Sequence, residues 1–371
     1  MEVAACRAAD LDDFSCRDDR KNGCLHHILQ RHVIRACLYA HHYRREALAT
    51  RDVLVLGREI VMSSTSTAQP RYPAPSAHGD IDSTGLRGWV ARRPLTAFLV
   101  IALGLSWLIF CIPVLAFHHV IPGADLPVEV FAFASTLLVL LPTALWVTSV
   151  TDGRAGVRAL FGRVFRWRFG VGWWFVVLFG LPVITLCIGV MLGGSLHLAG
   201  LGPVVIRQLG SIALAVVVIN LWEETVWAGF FQTRLESRYN FVVAAVLTTL
   251  PFAGVHLPLL LLDDQISVLS ILKGIAGLLI LGVAVRLMIG VFLRAAADSV
   301  LAVGILHQVF DASNNSGGVT DYILDGVDAG NMTQFATVVL TVLVAGWLLW
   351  RRPGAFARRQ TPPQDGPRQV G

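Results

Sequence analysis

An apolar run needs roughly 20 residues to cross the ~30 Å hydrocarbon core of a bilayer. This chain of 371 residues holds about eight such runs, at about 95–117, 128–150, 172–195, 204–234, 240–262, 266–288, 289–312 and 333–350. Backbone polar groups at that depth have no water to bond, so each run reads as a helix that satisfies its own backbone. The fold class expected is all-α, a polytopic membrane helical bundle. Composition agrees, with 15% charged residues against about 25% in soluble domains. The sixth and seventh runs are nearly continuous around Arg286 to Gly290.

Charge placement orients the bundle. Arg87, Arg92 and Arg93 precede the first run, and Arg154, Arg158, Arg163, Arg166 and Arg168 fill the segment between the second and third. Arg234 and Arg238 follow the fourth, and Arg351, Arg352, Arg358 and Arg359 follow the last. Of the alternate connections, His118 to Glu129 lacks Lys and Arg, and Asn314 to Asn331 carries only acids, Asp321, Asp325 and Asp328. Arginine-rich loops stay on the cytoplasmic side, so with eight spans both termini are expected there. The net charge of +5 thus reads as membrane orientation, and nucleic acid is not an expected partner. Only Lys21 and Lys273 interrupt the arginine bias, which fits a GC-rich bacterial genome and a plasma-membrane location. Between Asp152 and Gly170, Val157, Leu160, Phe161, Val164, Phe165 and Trp167 alternate with arginines at helical spacing. An amphipathic helix on the headgroups is one reading of that segment; a solvated loop is the other.

The termini carry little of this pattern. Cys6, Cys16, Cys24 and Cys37 share residues 1–61 with five histidines, but no CxxC pair or zinc-finger interval is present. Residues 1–61 are expected to be a non-native or disordered extension, with Met62 the true start. The Ser-, Thr- and Pro-rich stretch after it makes 62–90 a disordered cytoplasmic tail. The transmembrane domain is expected over 91–352, followed by a second disordered tail at 353–371.

Against this apolar background, Glu223 and Glu224 stand out in the fourth run. Each carboxylate at bilayer depth costs roughly 2.5–3.5 kcal/mol on insertion scales, so the pair reads as functional. His256 in the fifth run, and His307 and Asp311 in the seventh, lie at the same depth. The i, i+4 spacing puts His307 with Asp311, Phe252 with His256, and Asn220 with Glu224 on common helix faces. Pro251 and Pro258 should bend the fifth run. Spans four, five and seven would then enclose a polar cavity. There a glutamate acts as general base toward a sequestered water, and the histidines and Asp311 hold the water, stabilise an oxyanion or ligate a metal. A proton-coupled transporter uses similar residues, but no paired interrupted repeat accompanies them.

The ordered set Glu-Glu, Phe-x-x-x-His and His-x-x-x-Asp resembles the CPBP family of intramembrane proteases, which includes CAAX prenyl endopeptidases and Abi-type bacteriocin-immunity proteins. The resemblance covers roughly residues 90 to 315, including the segment from Gly156 to Trp173-Trp174. It implies an intramembrane endopeptidase acting on a membrane-associated or hydrophobic peptide. Its catalytic residues would be Glu223, Glu224, His256, His307 and Asp311. It also implies a candidate Zn2+ held by His256 and His307 with Glu223 or Glu224 and Asp311, beside a metal-free alternative. One departure is evident: the family motif Glu-Glu-x-x-x-Arg meets Ala228 where its arginine belongs. Without that arginine Glu223 or Glu224 loses a counter-charge and protonates more readily: either activity is retained with an altered pH profile, or the chain is an inactive relative serving as an immunity or scaffold protein, with Arg286 and Arg294 as candidate replacements for the charge.

Overall fold

The computed structural model describes residues 85–123, 126–263 and 266–357; the expectations for 1–61, most of 62–90 and 358–371 lie outside them. The architecture is a bundle of helices. After a short α1 (Gly85–Arg92), seven helices are long and apolar enough to cross a membrane: α2 (Pro94–Phe117), α3 (Val128–Val164), α4 (Val171–Met191), α5 (Leu201–Glu236), α6 (Phe241–Leu261), α7 (Val268–Ala295) and α10 (Ala329–Arg351). Between α7 and α10 lie α8 (Val300–Asn314) and α9 (Val319–Ile323). A two-residue antiparallel ladder, β1 (Ser195–Leu196) on β2 (Leu324–Asp325), ties two connections together. The chain is an all-α integral membrane protein.

Three expected boundaries move. The break between the sixth and seventh runs falls at 296–299, not at 288/289. Ala297 and Asp298 adopt positive φ of 54° and 62°, a conformation L-residues rarely take, and Ser299 then caps α8 through its Oγ, 3.1 Å from Ala302 N. The expected 289–312 span is therefore the end of α7 plus a separate 15-residue helix, and Arg286 lies within α7. The N-terminal tail is helical from Gly85, with Gly88 and Val90 buried. At the other end, Ala355 O accepts from Arg294 Nε at 3.1 Å and Phe356 packs on Phe241 at 4.8 Å, which holds residues 353–357 against the bundle.

The arginine-rich segment also differs from a surface helix. Helix α3 continues to Val164 across a kink at Gly153 (φ 64°). Phe165 and Trp167 are exposed, but Leu160, Arg163 and Val164 turn inward.

Helix α5 contains two π-helical stretches, Val216–Asn220 and Thr225–Gln232, on either side of the α-helical turn Leu221–Glu224. Such widenings shift the backbone ladder and recur at functional sites. Side chains satisfy the displaced carbonyls: Thr225 Oγ1 donates to Leu221 O at 2.7 Å, Thr233 Oγ1 to Ala228 O at 2.6 Å, and Arg163 Nη1 to Gly229 O at 2.8 Å. Arg163, read from sequence as a loop charge, is thus a structural clamp on the segment that carries the glutamates.

In α6 the α-helix runs through Pro251 and stops at His256, where Leu257–Leu261 forms a 3-10 turn. Pro258 has no N–H to give Gly254 O four residues back. That carbonyl accepts from Leu257 N–H of the 3-10 turn and from Trp107 Nε1 at 2.8 Å.

Helix α8 reaches α5 through a glycine. A β carbon on Gly304 would lie 3.0 Å from Leu221 Cα and 3.3 Å from its N. This backbone contact sets the approach of His307 to Glu224. Gly304→Ala is expected to separate the helices by a few tenths of an ångström and cost about 1–3 kcal/mol. Thermal unfolding in detergent checks this; an unchanged midpoint would mean that the contact has slack.

Candidate active site

Of the two adjacent glutamates, Glu224 is 0% exposed and Glu223 is 8% exposed. Their surroundings separate them completely. Glu224 is held on both oxygens by Arg286 of α7, with Nη1 3.0 Å from Oε2 and Nη2 2.5 Å from Oε1. His307 Nδ1 lies 2.7 Å from the same Oε1, a close ion-pair contact without the alignment of a full hydrogen bond. The Glu223 carboxylate makes no hydrogen bond or ion pair among the described residues. It nonetheless lies near enough to His307 and Asp311 to act on their charge.

Helix α8 supplies the next link. His307 Nε2 lies 3.9 Å from Asp311 Oδ1, one helical turn on. Asn220 Nδ2, from the first π-helical stretch, donates to Asp311 Oδ2 at 3.0 Å. The sequence placed Asn220 on the face of Glu224; the structure gives its amide to Asp311. The Asp311 side chain keeps 35% of its exposure, so the site is sealed at Glu224 and open at Asp311.

Phe252 joins the third helix to this group. The Arg286 guanidinium lies 4.3 Å over its ring, while His256 and His307 lie 5.2 and 6.2 Å from it. His256 Nδ1 lies 2.8 Å from Phe252 O. A carbonyl only accepts, so Nδ1 carries the proton and Nε2 keeps its lone pair in the neutral ring.

Glu224, His307 and Asp311 are therefore directly linked, His256 joins them through Phe252, and Glu223 stands unpartnered beside them. Arg286 does occupy the counter-charge role left open by Ala228. Arg294 does not: its Nη1 pairs with the buried Glu236 at 2.9 Å. Arg163 and Glu236, both buried, were not singled out from sequence. Arg163 lies in an arginine-rich segment that set it apart in no way, and Glu236 lies at the end of a span, where a charge is unremarked.

The donor set does not fit the expected zinc. Both Glu224 oxygens are occupied by Arg286, His307 Nδ1 faces Glu224, and His256 Nδ1 faces a carbonyl. A zinc ion needs three or four lone pairs converging at about 2.0–2.2 Å. Among the described residues no three His, Cys, Asp or Glu side chains are grouped to hold a metal.

Residues 205–313, which contain every one of these groups except Arg163, match the family model described as type II CAAX prenyl endopeptidase Rce1-like. Over that segment the chain is similar to this family. No curated protein matches it. CPBP-family members of this kind are generally peptide hydrolases, and the three motif-bearing helices α5, α6 and α8 are those that build the site. Asp311 closes the third motif and accepts from Asn220. Asp311→Asn is expected to keep activity within about tenfold, because an amide oxygen still accepts from Asn220, whereas Asp311→Ala leaves that amide unbonded and loses more. Peptide-cleavage rates of the two variants check this; equal losses would show that the Asn220 bond is irrelevant.

Proposed function

We propose that this chain is an intramembrane endopeptidase of the CAAX-protease type, cutting a hydrophobic or membrane-associated peptide in the plasma membrane of a bacterium. In this reading α8 counts as an eighth crossing, so that both arginine-flanked ends face the cytoplasm. One observation carries the proposal: of two adjacent buried carboxylates, one is locked by Arg286 and the other, Glu223, has no hydrogen-bond or ion-pair partner among the described residues. An unpaired carboxylate beside basic groups is what a general base requires.

In this reading Glu223 takes a proton from water, and the resulting hydroxide attacks the peptide carbonyl carbon. His256 Nε2 accepts from that water and keeps it oriented. His307, anchored through Nδ1 on Glu224, turns Nε2 toward the developing oxyanion. The C–N bond then breaks, and the proton held by Glu223 passes to the departing amine. No metal takes part. The low water content of a membrane helix bundle favours this arrangement, since a sequestered water is activated without competition from bulk solvent. The inactive-relative reading rested on Ala228, and Arg286 restores the charge whose loss supported it.

The test is cleavage of a quenched hydrophobic peptide library by the purified protein in liposomes, with and without EDTA. Cleavage that survives chelation and disappears in Glu223→Gln and His256→Ala supports the proposal. Cleavage indifferent to both substitutions excludes the site, and loss on chelation with recovery on added zinc excludes the metal-free mechanism.

A further inference from the structure

We propose that Arg286 is a positioning residue, which fixes the plane of the Glu224 carboxylate and through it the aim of the His307 ring; this rests on the peptidase reading above. The family motif places an arginine four residues after Glu224, on the same helix. Here that position is Ala228, fully buried in an apolar cluster with Val164 and Val300. The charge arrives from a different helix instead, on a side chain that is itself 0% exposed.

The geometry is more specific than neutralisation needs. A single ammonium would balance Glu224, but the guanidinium engages both oxygens, at 3.0 and 2.5 Å. A two-point fork fixes the orientation of a carboxylate as well as its charge. The fork is itself held flat against Phe252 at 4.3 Å. Oε1 of Glu224 is then shared between Arg286 Nη2 and His307 Nδ1. Rotation of the carboxylate would carry the Nδ1 anchor with it and swing Nε2 away from Asp311. Buried ion pairs contribute little net stability compared with apolar replacements. Retention of this pair in a membrane helix bundle therefore points to its geometry, and the same ring of Phe252 ties that geometry to His256.

Arg286→Lys tests the proposal, because it keeps the charge and removes the fork. The readouts are kcat and KM for peptide cleavage, and the imidazole nitrogen signals of His307 in 15N-histidine-labelled protein, assigned by their loss in His307→Gln. The expected result is a folded variant with shifted His307 signals, a kcat lowered by about 100-fold, the size of effect misplacement of a reacting group produces, and KM within about threefold. A folded variant with wild-type His307 signals, or with wild-type kcat, overturns the proposal and leaves Arg286 a counter-charge. Should the lysine variant fail to fold, Glu224→Gln/Arg286→Gln removes both charges together; a wild-type cleavage rate in that protein overturns the proposal, and a rate lowered to the level of Glu224→Gln alone supports it. If the unmodified protein cleaves no peptide, the peptidase reading alone fails, and the His307 signals of Arg286→Lys still decide the role of Arg286.

Discussion

Glu223→Gln is expected to lower kcat for peptide cleavage by roughly 10²- to 10⁴-fold, the contribution of a positioned general base, while the protein stays folded. The carboxylate is 8% exposed and carries no hydrogen bond or ion pair among the described residues, so an amide of the same shape strands no partner. Turnover in liposomes and thermal unfolding in detergent measure the two halves. A folded Glu223→Gln protein with wild-type turnover would remove Glu223 from the chemistry. A variant that unfolds would show that the carboxylate is structural after all.

The neighbouring substitution should behave in the opposite way. Glu224→Gln takes the acid partner from a fully buried Arg286, and stranding one member of a buried pair costs about 3–5 kcal/mol. The expected result is a large drop in the unfolding midpoint, together with lost turnover. Restoring neutrality with Glu224→Gln/Arg286→Gln should recover much of the stability. If Glu223→Gln and Glu224→Gln instead give the same stability, the division of labour between the two carboxylates is wrong. One residue apart in sequence, they differ because α5 turns by about 100° per residue, which aims one at the α7 arginine and the other away from it.

Much of this site could be read from the chain. Glu223, Glu224, His256, His307 and Asp311 stood out as polar groups in apolar runs, and α5, α6 and α8 carry them in that order. Arg286 was an equal anomaly, a charge inside an apolar stretch, but it sat at the assumed junction of two spans. Residues 296–299 read Ala-Ala-Asp-Ser, so a charge and a capping serine did mark the break, but a junction assumed at 288/289 left Asp298 inside a span, and the positive φ of Ala297 and Asp298 has no mark in composition. Arg163 misled for the opposite reason. Its neighbours Arg158, Arg166 and Arg168 fit a loop, and a single inward-turned member of an arginine cluster has no separate sequence signature.

The π-helical stretches of α5 were likewise invisible. A π register depends on whether displaced carbonyls find donors, and Gly229 O finds its donor in Arg163, 66 residues earlier. Asn220 shows the same dependence. Its spacing from Glu224 is that of an α-helical face, but the π register and the close passage of Gly304 bring it to Asp311 instead.

The sequence by itself determined the class of solvent, the all-α fold, the candidate site side chains and their order on three helices, because the cost of burying charge and backbone in hydrocarbon depends on local composition. Only the tertiary structure decided which glutamate Arg286 binds and, among the described residues, that the other has no such partner and that no three donor side chains group to hold a metal. Those outcomes depend on contacts of a few ångströms between α5, α7 and α8, set by helix crossings such as that at Gly304, which spacing along one chain does not encode.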